Sequence, residues 1–424
     1  MTPLAGTADI ATVLAKVRRR LIPFLFLLYI VAYLDRINVG FAALQMNQAL
    51  GFSATTYGFG AGIFFLSYVL FEIPSNVILA RVGARLWIAR IMITWGLVSS
   101  AMMFVHSASG FYALRFLLGL AEAGFFPGII FYLTRWFPAR ERARTIAAFM
   151  TATLIAGVIG GPISGSLLSL HGAGGLAGWQ WLFLLEGVPA VVLGLVVLGV
   201  LTDRPEDATW LSDGERAALV ACLRDDQAAT SHETSTWAAL GNRRTWLLAL
   251  VYFTIPVTLY GIGFFLPQML KTASGASDFT VGLLSAIPYA AGAIAMVVVG
   301  HHSDRTGERR WHIAIPALVC AVALVLTTAG SGIGWSVATL SLAMLGLASM
   351  FGPFWALATS TMGGVGAAAS IALINSVGNT GGFLGPYLLG AINDATHSFA
   401  IGLIAIAVML AAGAMLVLFV HDDA

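Results

Sequence analysis

Twelve apolar stretches of about 20 residues run through this chain, and that is the length a helix needs to cross ~30 Å of hydrocarbon. They fall at about 21–43, 57–80, 86–106, 109–134, 145–170, 180–202, 245–270, 279–302, 312–330, 335–361, 367–392 and 398–420. Within lipid no water reaches the backbone, so every N–H and C=O must be satisfied by the chain itself, as a helix or a closed barrel. Continuous runs of this length select helices. The expected fold class is an all-α integral membrane protein with twelve transmembrane helices in two six-helix bundles.

Composition agrees and excludes alternatives. Only 10% of residues are charged and 58% are hydrophobic, whereas soluble domains carry about 25% charged residues. No cleavable signal peptide is expected, because Lys16, Arg18, Arg19 and Arg20 precede an apolar run with no small-residue cleavage site. Cys222 and Cys320 have neither a metal-ligand spacing nor a setting that favours a disulfide. No phosphate-cradling loop, nucleophile–base pair or nucleotide motif is present. An enzyme is therefore not expected, nor a cofactor, a metal site or a nucleic-acid partner. The polar segments are too short for a signalling domain.

The one long polar segment, from Thr202 to Arg244, divides the spans six and six. The expected organisation is an N-terminal bundle over 1–202, a cytoplasmic linker over 203–243 and a C-terminal bundle over 244–424. Within the linker, Ser212 followed by Glu215 spells a capping box for a short helix. Of the 22 Lys and Arg residues, Arg36 and Arg115 lie inside spans and only Lys271 falls in a loop on the odd side. The positive-inside bias then places both termini in the cytoplasm of a multi-pass, bacterial-type inner (plasma) membrane protein, expected to act as a monomer in the lipid bilayer.

The halves repeat. Arg81-Val-Gly83-Ala-Arg85 after span 2 matches Arg305-Thr-Gly307-Glu-Arg309 after span 8 at an offset of 224, and Gly157…Gly161-Pro162 in span 5 matches Gly381…Gly385-Pro386 in span 11 at the same offset. Two motifs at one offset indicate duplicated six-helix halves. Such repeats place a substrate site near the midplane, between the halves.

Asp35, Glu72, Glu122 and Glu186 sit inside otherwise apolar spans. A charge at the bilayer centre costs at least ~2.5–3.5 kcal/mol, so such residues face a bundle interior or a cavity and mark ion or proton paths. Asp35 and Arg115 fall at a similar depth, ~21 Å up span 1 and ~9 Å down span 4, which permits an Asp35–Arg115 pair. Glu122 follows Arg115 by about two turns on the same face, so Arg115 is expected between two competing carboxylates. Arg36 diverges from Asp35 by about 100° and is the expected anion ligand, since a guanidinium grips a carboxylate bidentately. Glu72, near the cytoplasmic end of span 2, and Glu186, near the start of span 6, are expected at an interface or in packing. Gly352-Pro353 and Gly261-Ile-Gly263 are candidate hinges.

These residues resemble the major facilitator superfamily. Gly300-His-His-Ser-Asp304-Arg305-Thr-Gly307-Glu-Arg309-Arg310 is similar to its signature loop, although the copy after span 2 has no aspartate where Asp304 stands. Arg115-Phe-Leu-Leu-Gly119 is similar to its span 4 motif, and Gly157-Val-Ile-Gly-Gly161-Pro162 to its span 5 motif. The closer resemblance is to the anion:cation symporter branch. It rests on Tyr33-Leu-Asp35-Arg36-Ile-Asn38, Arg115…Glu122, Arg204-Pro-Glu-Asp-Ala…Trp210-Leu-Ser and Ile374-Asn375-Ser-Val-Gly-Asn379. Phe71-Glu-Ile-Pro-Ser-Asn76 and Gly352-Pro-Phe-Trp355-Ala-Leu resemble its tartrate and aromatic-acid members.

The resemblance implies Asp35 and Glu122 as protonated groups, with Arg115 coupling charge between them. It implies Arg36 as the ligand of a substrate carboxylate, Tyr33, Tyr68, Trp355 and Asn375 as pocket lining, and Asp304, Arg305 and Gly307 as a conformational loop. Sugar-acid members carry an amide on span 5 where ungapped counting puts Thr153, which argues against a long polyhydroxy acid. The expected function is proton-coupled import of a small organic anion by alternating access, best a hydroxy-dicarboxylate such as tartrate. Another carboxylate (a sugar acid, phthalate or hydroxyphenylacetate) and drug/proton antiport are the alternatives.

Overall fold

The computed structural model describes residues 9–229, 241–360 and 365–420, and among these the regular structure is helical throughout. The helices are α1 (Ile10–Leu50), α2 (Ala54–Val82), α3 (Ala84–Ala101), α4 (Ala108–Glu122), α5 (Phe125–Thr134), α6 (Ala139–Leu168), α7 (Gly178–Val200) and α8 (Asp213–Ala229). After the linker come α9 (Arg243–Ser274), α10 (Asp278–Thr306), α11 (Trp311–Ala329), α12 (Ile333–Ser349), α13 (Phe351–Ser360), α14 (Val365–Thr396) and α15 (Ala400–Leu418). The family's fold is present, and spans 4 and 10 are each broken in two, as α4–α5 and α12–α13.

Eleven helical spans of the described residues are long and apolar enough to cross a membrane. The remaining long helix, α14, holds the place of expected span 11. Its Asn375, Asn379 and Asn393 and its six glycines dilute its hydropathy. That composition suits a helix whose neighbours are protein rather than lipid, and α14 packs along α2 and α9.

The break in span 4 has a clear physical cause. Gly124 adopts φ +87°, a left-handed conformation that favours glycine. The carbonyl of Ala123 accepts a hydrogen bond from Ser75 Oγ at 2.6 Å, and Ser75 Oγ in turn accepts from Trp87 Nε1 at 3.0 Å. α2 and α3 thus satisfy the backbone that the break exposes. In span 10 the break falls at Met350, just before Gly352-Pro353. Gly261 and Gly263, the other expected hinge, lie within unbroken α9 and pack against Gly385 and Tyr289.

The arginine-rich tail, the turns after α2, α5 and α10, and the linker lie at one end of the bundle, here the basic end. The linker docks there: Ser212 and Glu215 form the expected capping box, with backbone-to-side-chain bonds of 2.8 and 3.3 Å, and Glu215 also pairs with Lys16 at 2.7 Å.

At the opposite end, helices before and after the linker meet closely. A Cβ on Gly161 of α6 would stand 2.3 Å from the carbonyl oxygen of Gly282 on α10, and a Cβ on Gly58 of α2 would stand 2.3 Å from that of Pro386 on α14. Gly58 and Gly282 stand at the repeat offset of 224, so the duplication builds the same seam twice. Polar groups lock both seams. Asp394 accepts from the backbone N–H groups of Ala54 and Thr55 at 3.0 and 2.8 Å, neutralising the positive end of α2. Gln45 donates to Asp278 at 2.7 Å, and Lys271 pairs with the same carboxylate at 2.8 Å. The end remote from the basic turns is shut.

Gly161→Val places branched carbons where the Gly282 carbonyl lies and keeps this seam from closing. Spin labels on the α6–α7 loop and at Thr272 are expected to report a longer distance across that end than in the parent protein. An unchanged distance contradicts the seam.

Candidate functional site

The site begins on α1, where consecutive residues point about 100° apart. Asp35 is 1% exposed and turns toward α3, accepting from Trp95 Nε1 and Ser99 Oγ at 2.8 Å each, and from Asn38 Nδ2 at 3.2 Å. Arg36 turns to the other side and forms an ion pair with Glu122 of α4. Its guanidinium also lies 5.5 Å from the ring centroids of Phe64 and Tyr68 on α2. One donor of Arg36, Nε, is buried without a partner among the described residues.

The expected Asp35–Arg115 pair is not formed. Fully buried Arg115 donates through Nε and Nη2 to the carbonyls of Gly60 and Ala61 at 3.2 and 2.9 Å, with its charge 5.0 Å from the Phe64 ring. Equal depth does not make a pair: Arg115 faces α2, while Asp35 faces α3 and is satisfied there. The carboxylate that meets an arginine is Glu122, and the arginine is Arg36. Both guanidinium groups lie over the Phe64 ring, at 5.5 Å for Arg36 and 5.0 Å for Arg115.

Glu122 owes its position to two backbone features. Gly119, one turn earlier, lets α4 press on α2 so closely that a Cβ would sit 2.1 Å from the Phe64 carbonyl oxygen. The break at Ala123–Gly124 then ends α4 directly after Glu122.

From beyond the linker, α9, α10, α13 and α14 supply the facing wall. Tyr252 packs on Phe354 and Trp355 with ring centroids 4.9 Å from each, and Gly378 makes room for its ring. Tyr260 lies against Phe65 at 4.2 Å and within electrostatic reach of Arg36. Tyr289 packs on Gly157, and both Tyr289 and Tyr260 lie within electrostatic reach of Tyr33. Asn375 Nδ2 donates to Glu72 Oε1 at 3.3 Å, across the two sets of helices.

The structure therefore brings Arg36 together with Glu122 and Tyr68, Asn375 with Glu72, and Trp355 with Tyr252, while Tyr33 packs with Ile37 and Ala156, and Asp35 and Arg115 turn to α3 and α2. Glu72, expected at an interface or in packing, is 7% exposed and packed between helices. α2 continues for ten residues beyond it, which carries Glu72 about 15 Å from the helix end. Glu186 is a buried tie between helices, accepting from Ser164 Oγ at 2.9 Å. Tyr29, Tyr252, Tyr260 and Tyr289 were not singled out by sequence; the eight-residue spacing of Tyr252 and Tyr260 on one face of span 7 was the available signal.

The signature loop lies at the basic end. Gly307 adopts φ +70° and caps α10, and the exposed Asp304 pairs with Arg309 at 2.7 Å, while Arg305 is exposed. In the first copy a different acid caps the following helix, as Glu308 does for α11 through the Trp311 and His312 N–H groups. Asp203, from beyond α7, accepts from the Arg85 backbone N–H at 2.8 Å and caps the start of α3.

Two sets of membrane-spanning helices that meet at a seam and bury an ion pair have the architecture of a membrane transporter. A profile of the Major Facilitator Superfamily matches residues 25–386. The chain is 52% identical to an Agrobacterium vitis protein named "Putative tartrate transporter", over 98% of this chain and 96% of that protein. It is 40% identical to a quinolone resistance transporter of Acinetobacter baumannii, over 96% and 95%. A crystal structure of a bacterial homologue of the human lysosomal transporter Spinster, in an inward-facing and occupied conformation, superposes with a TM-score of 0.79 at 18% identity, covering 95% of this chain and 96% of that one. The chain belongs to the Major Facilitator Superfamily.

Arg115→Lys keeps the charge but loses the fork that spans two successive carbonyls. It is expected to cost about 1–3 kcal/mol of stability, read as a lowered Tm in detergent. An unchanged Tm contradicts the tie to α2.

Proposed function

We propose that this protein is a proton-coupled symporter of the anion:cation symporter branch, importing a small organic anion, best a hydroxy-dicarboxylate such as tartrate. The observation that carries this reading is the buried Arg36–Glu122 ion pair over the Tyr68 ring, with the Nε donor of Arg36 unpartnered among the described residues. A substrate carboxylate and Glu122 compete for one guanidinium. When the substrate takes it, Glu122 is left without a cation between low-dielectric walls, a situation that a proton relieves. Substrate and proton then travel together. Asp35, held by three donors and no cation, is the second carrier: its charge changes without breaking an ion pair. Tyr33, Tyr68, Trp355 and Asn375 line the substrate.

The bundles over 1–202 and 244–424, joined by the linker over 203–243, rock about this site. With the basic end in the cytoplasm of a bacterial inner membrane, the shut end is periplasmic. The signature loop at Asp304, Arg305 and Gly307 resets with each cycle. The relative whose name refers to tartrate supports the substrate class. The quinolone resistance relative favours a second reading, drug/proton antiport. A central arginine, which repels cationic drugs, speaks for the anion.

In proteoliposomes, an inward proton gradient should drive tartrate accumulation that a protonophore abolishes. Rejection of every acid together with export of lipophilic cations supports the antiporter instead. Arg36→Ala should weaken tartrate binding by about 2–5 kcal/mol, since it leaves a buried charge unpaired. Unchanged affinity in calorimetry on the folded variant overturns the assignment of Arg36.

A further inference from the structure

Glu72 is the one central carboxylate that the coupling scheme leaves without a task. It projects from α2 one turn after Tyr68, about 6 Å along the helix, so it shares a face with the ring that lies beneath Arg36. Arg36 and Tyr252 both lie within its electrostatic reach. Its Oε1 accepts the 3.3 Å bond from Asn375, and its Oε2 takes no hydrogen bond among the described residues. Unlike Glu122 it has no ion pair, and unlike Asp35 it is not enclosed by donors.

We propose that Glu72 reads the hydroxyl groups of the substrate and makes the pocket selective for hydroxylated carboxylates over unhydroxylated ones of the same length. The proposal rests on the organic-anion reading of the site. An ionised carboxylate only accepts hydrogen bonds, so next to an anion site it recognises a hydroxyl donor. Arg36 holds the acid group of the substrate, and Glu72, one turn deeper toward the basic end, receives a hydroxyl hydrogen. Asn375 stands beside it with an amide that both donates and accepts. A substrate without the hydroxyl leaves Glu72 facing the anion unpaired, and sites built to bond a hydroxyl discriminate strongly against analogues that lack one.

The test compares tartrate with succinate, which has the same carbon chain and no hydroxyls, by calorimetry on the purified full-length protein and its Glu72→Gln and Glu72→Leu variants. The parent protein is expected to prefer tartrate by about 100-fold or more. Glu72→Leu should reduce that preference to about tenfold or less by weakening tartrate alone. Glu72→Gln should fall between, because the amide oxygen still accepts. A preference undiminished in Glu72→Leu overturns the proposal and leaves the anion reading standing. Equal weakening of both acids also overturns it, and makes Glu72 a tie between α2 and α14. If the parent protein binds neither acid, the anion reading falls and the proposal falls with it.

Discussion

The Arg36–Glu122 ion pair is the constraint around which the rest of this structure is arranged. Two opposite charges in the middle of a bilayer protein are tolerated only where desolvation is offset by close pairing and further polar contact. Here the pair sits over the faces of Phe64 and Tyr68. Its geometry is set by backbone rather than by flexible side chains. Gly119 brings α4 against α2, and Gly124 ends α4 at the carboxylate. Ser75 and Trp87 satisfy the carbonyl that the break sets free. Arg115 braces the same region by gripping successive carbonyls of α2 through Gly60 and Ala61. Several residues that resemble functional motifs thus act by fixing the path of the chain beside one pair of charges.

A rocking transporter also needs a seam that closes tightly and reopens. Glycine-to-carbonyl contacts meet that need, since they bring helices very close without interlocking side chains. The seam pairs Gly161 with Gly282 and Gly58 with Pro386. Helix-terminus contacts complement them. Asp394 on the start of α2 joins a carboxylate to backbone N–H groups that water can satisfy when the end opens. Asp203 makes a similar bond at the start of α3, but within one set of helices, where it fixes a turn instead of gating a passage.

Much of this was legible in the sequence. The spans follow from apolar length, the capping box at Ser212 and Glu215 from local pattern, and the duplication from motifs at one offset, whereas Gly58 and Gly282 of the seams carry no motif of their own. The divergence of Asp35 and Arg36 follows from helical rotation alone, and the structure bears it out. What sequence could not supply was the rotation of one helix against another. Asp35 and Arg115 share a depth, yet α3 offers Asp35 its donors and α2 offers Arg115 its carbonyls. Glu72 could go to an interface or into packing by sequence alone, and its bond with Asn375 of α14 depends on how α2 and α14 face each other. The tyrosines of the facing wall went unnoticed because an aromatic in an apolar helix has the same local signature whether it packs or lines a pocket.

The central claim is that substrate and Glu122 exchange one guanidinium, so that binding an anion draws a proton onto Glu122. Proton uptake on adding tartrate to the detergent-solubilised protein, followed with a pH indicator in weakly buffered solution, tests it most directly. The account predicts proton uptake in step with anion binding by the parent protein. It predicts that Glu122→Gln still binds the anion but loses that uptake. Tartrate binding with the same proton uptake in Glu122→Gln contradicts the account.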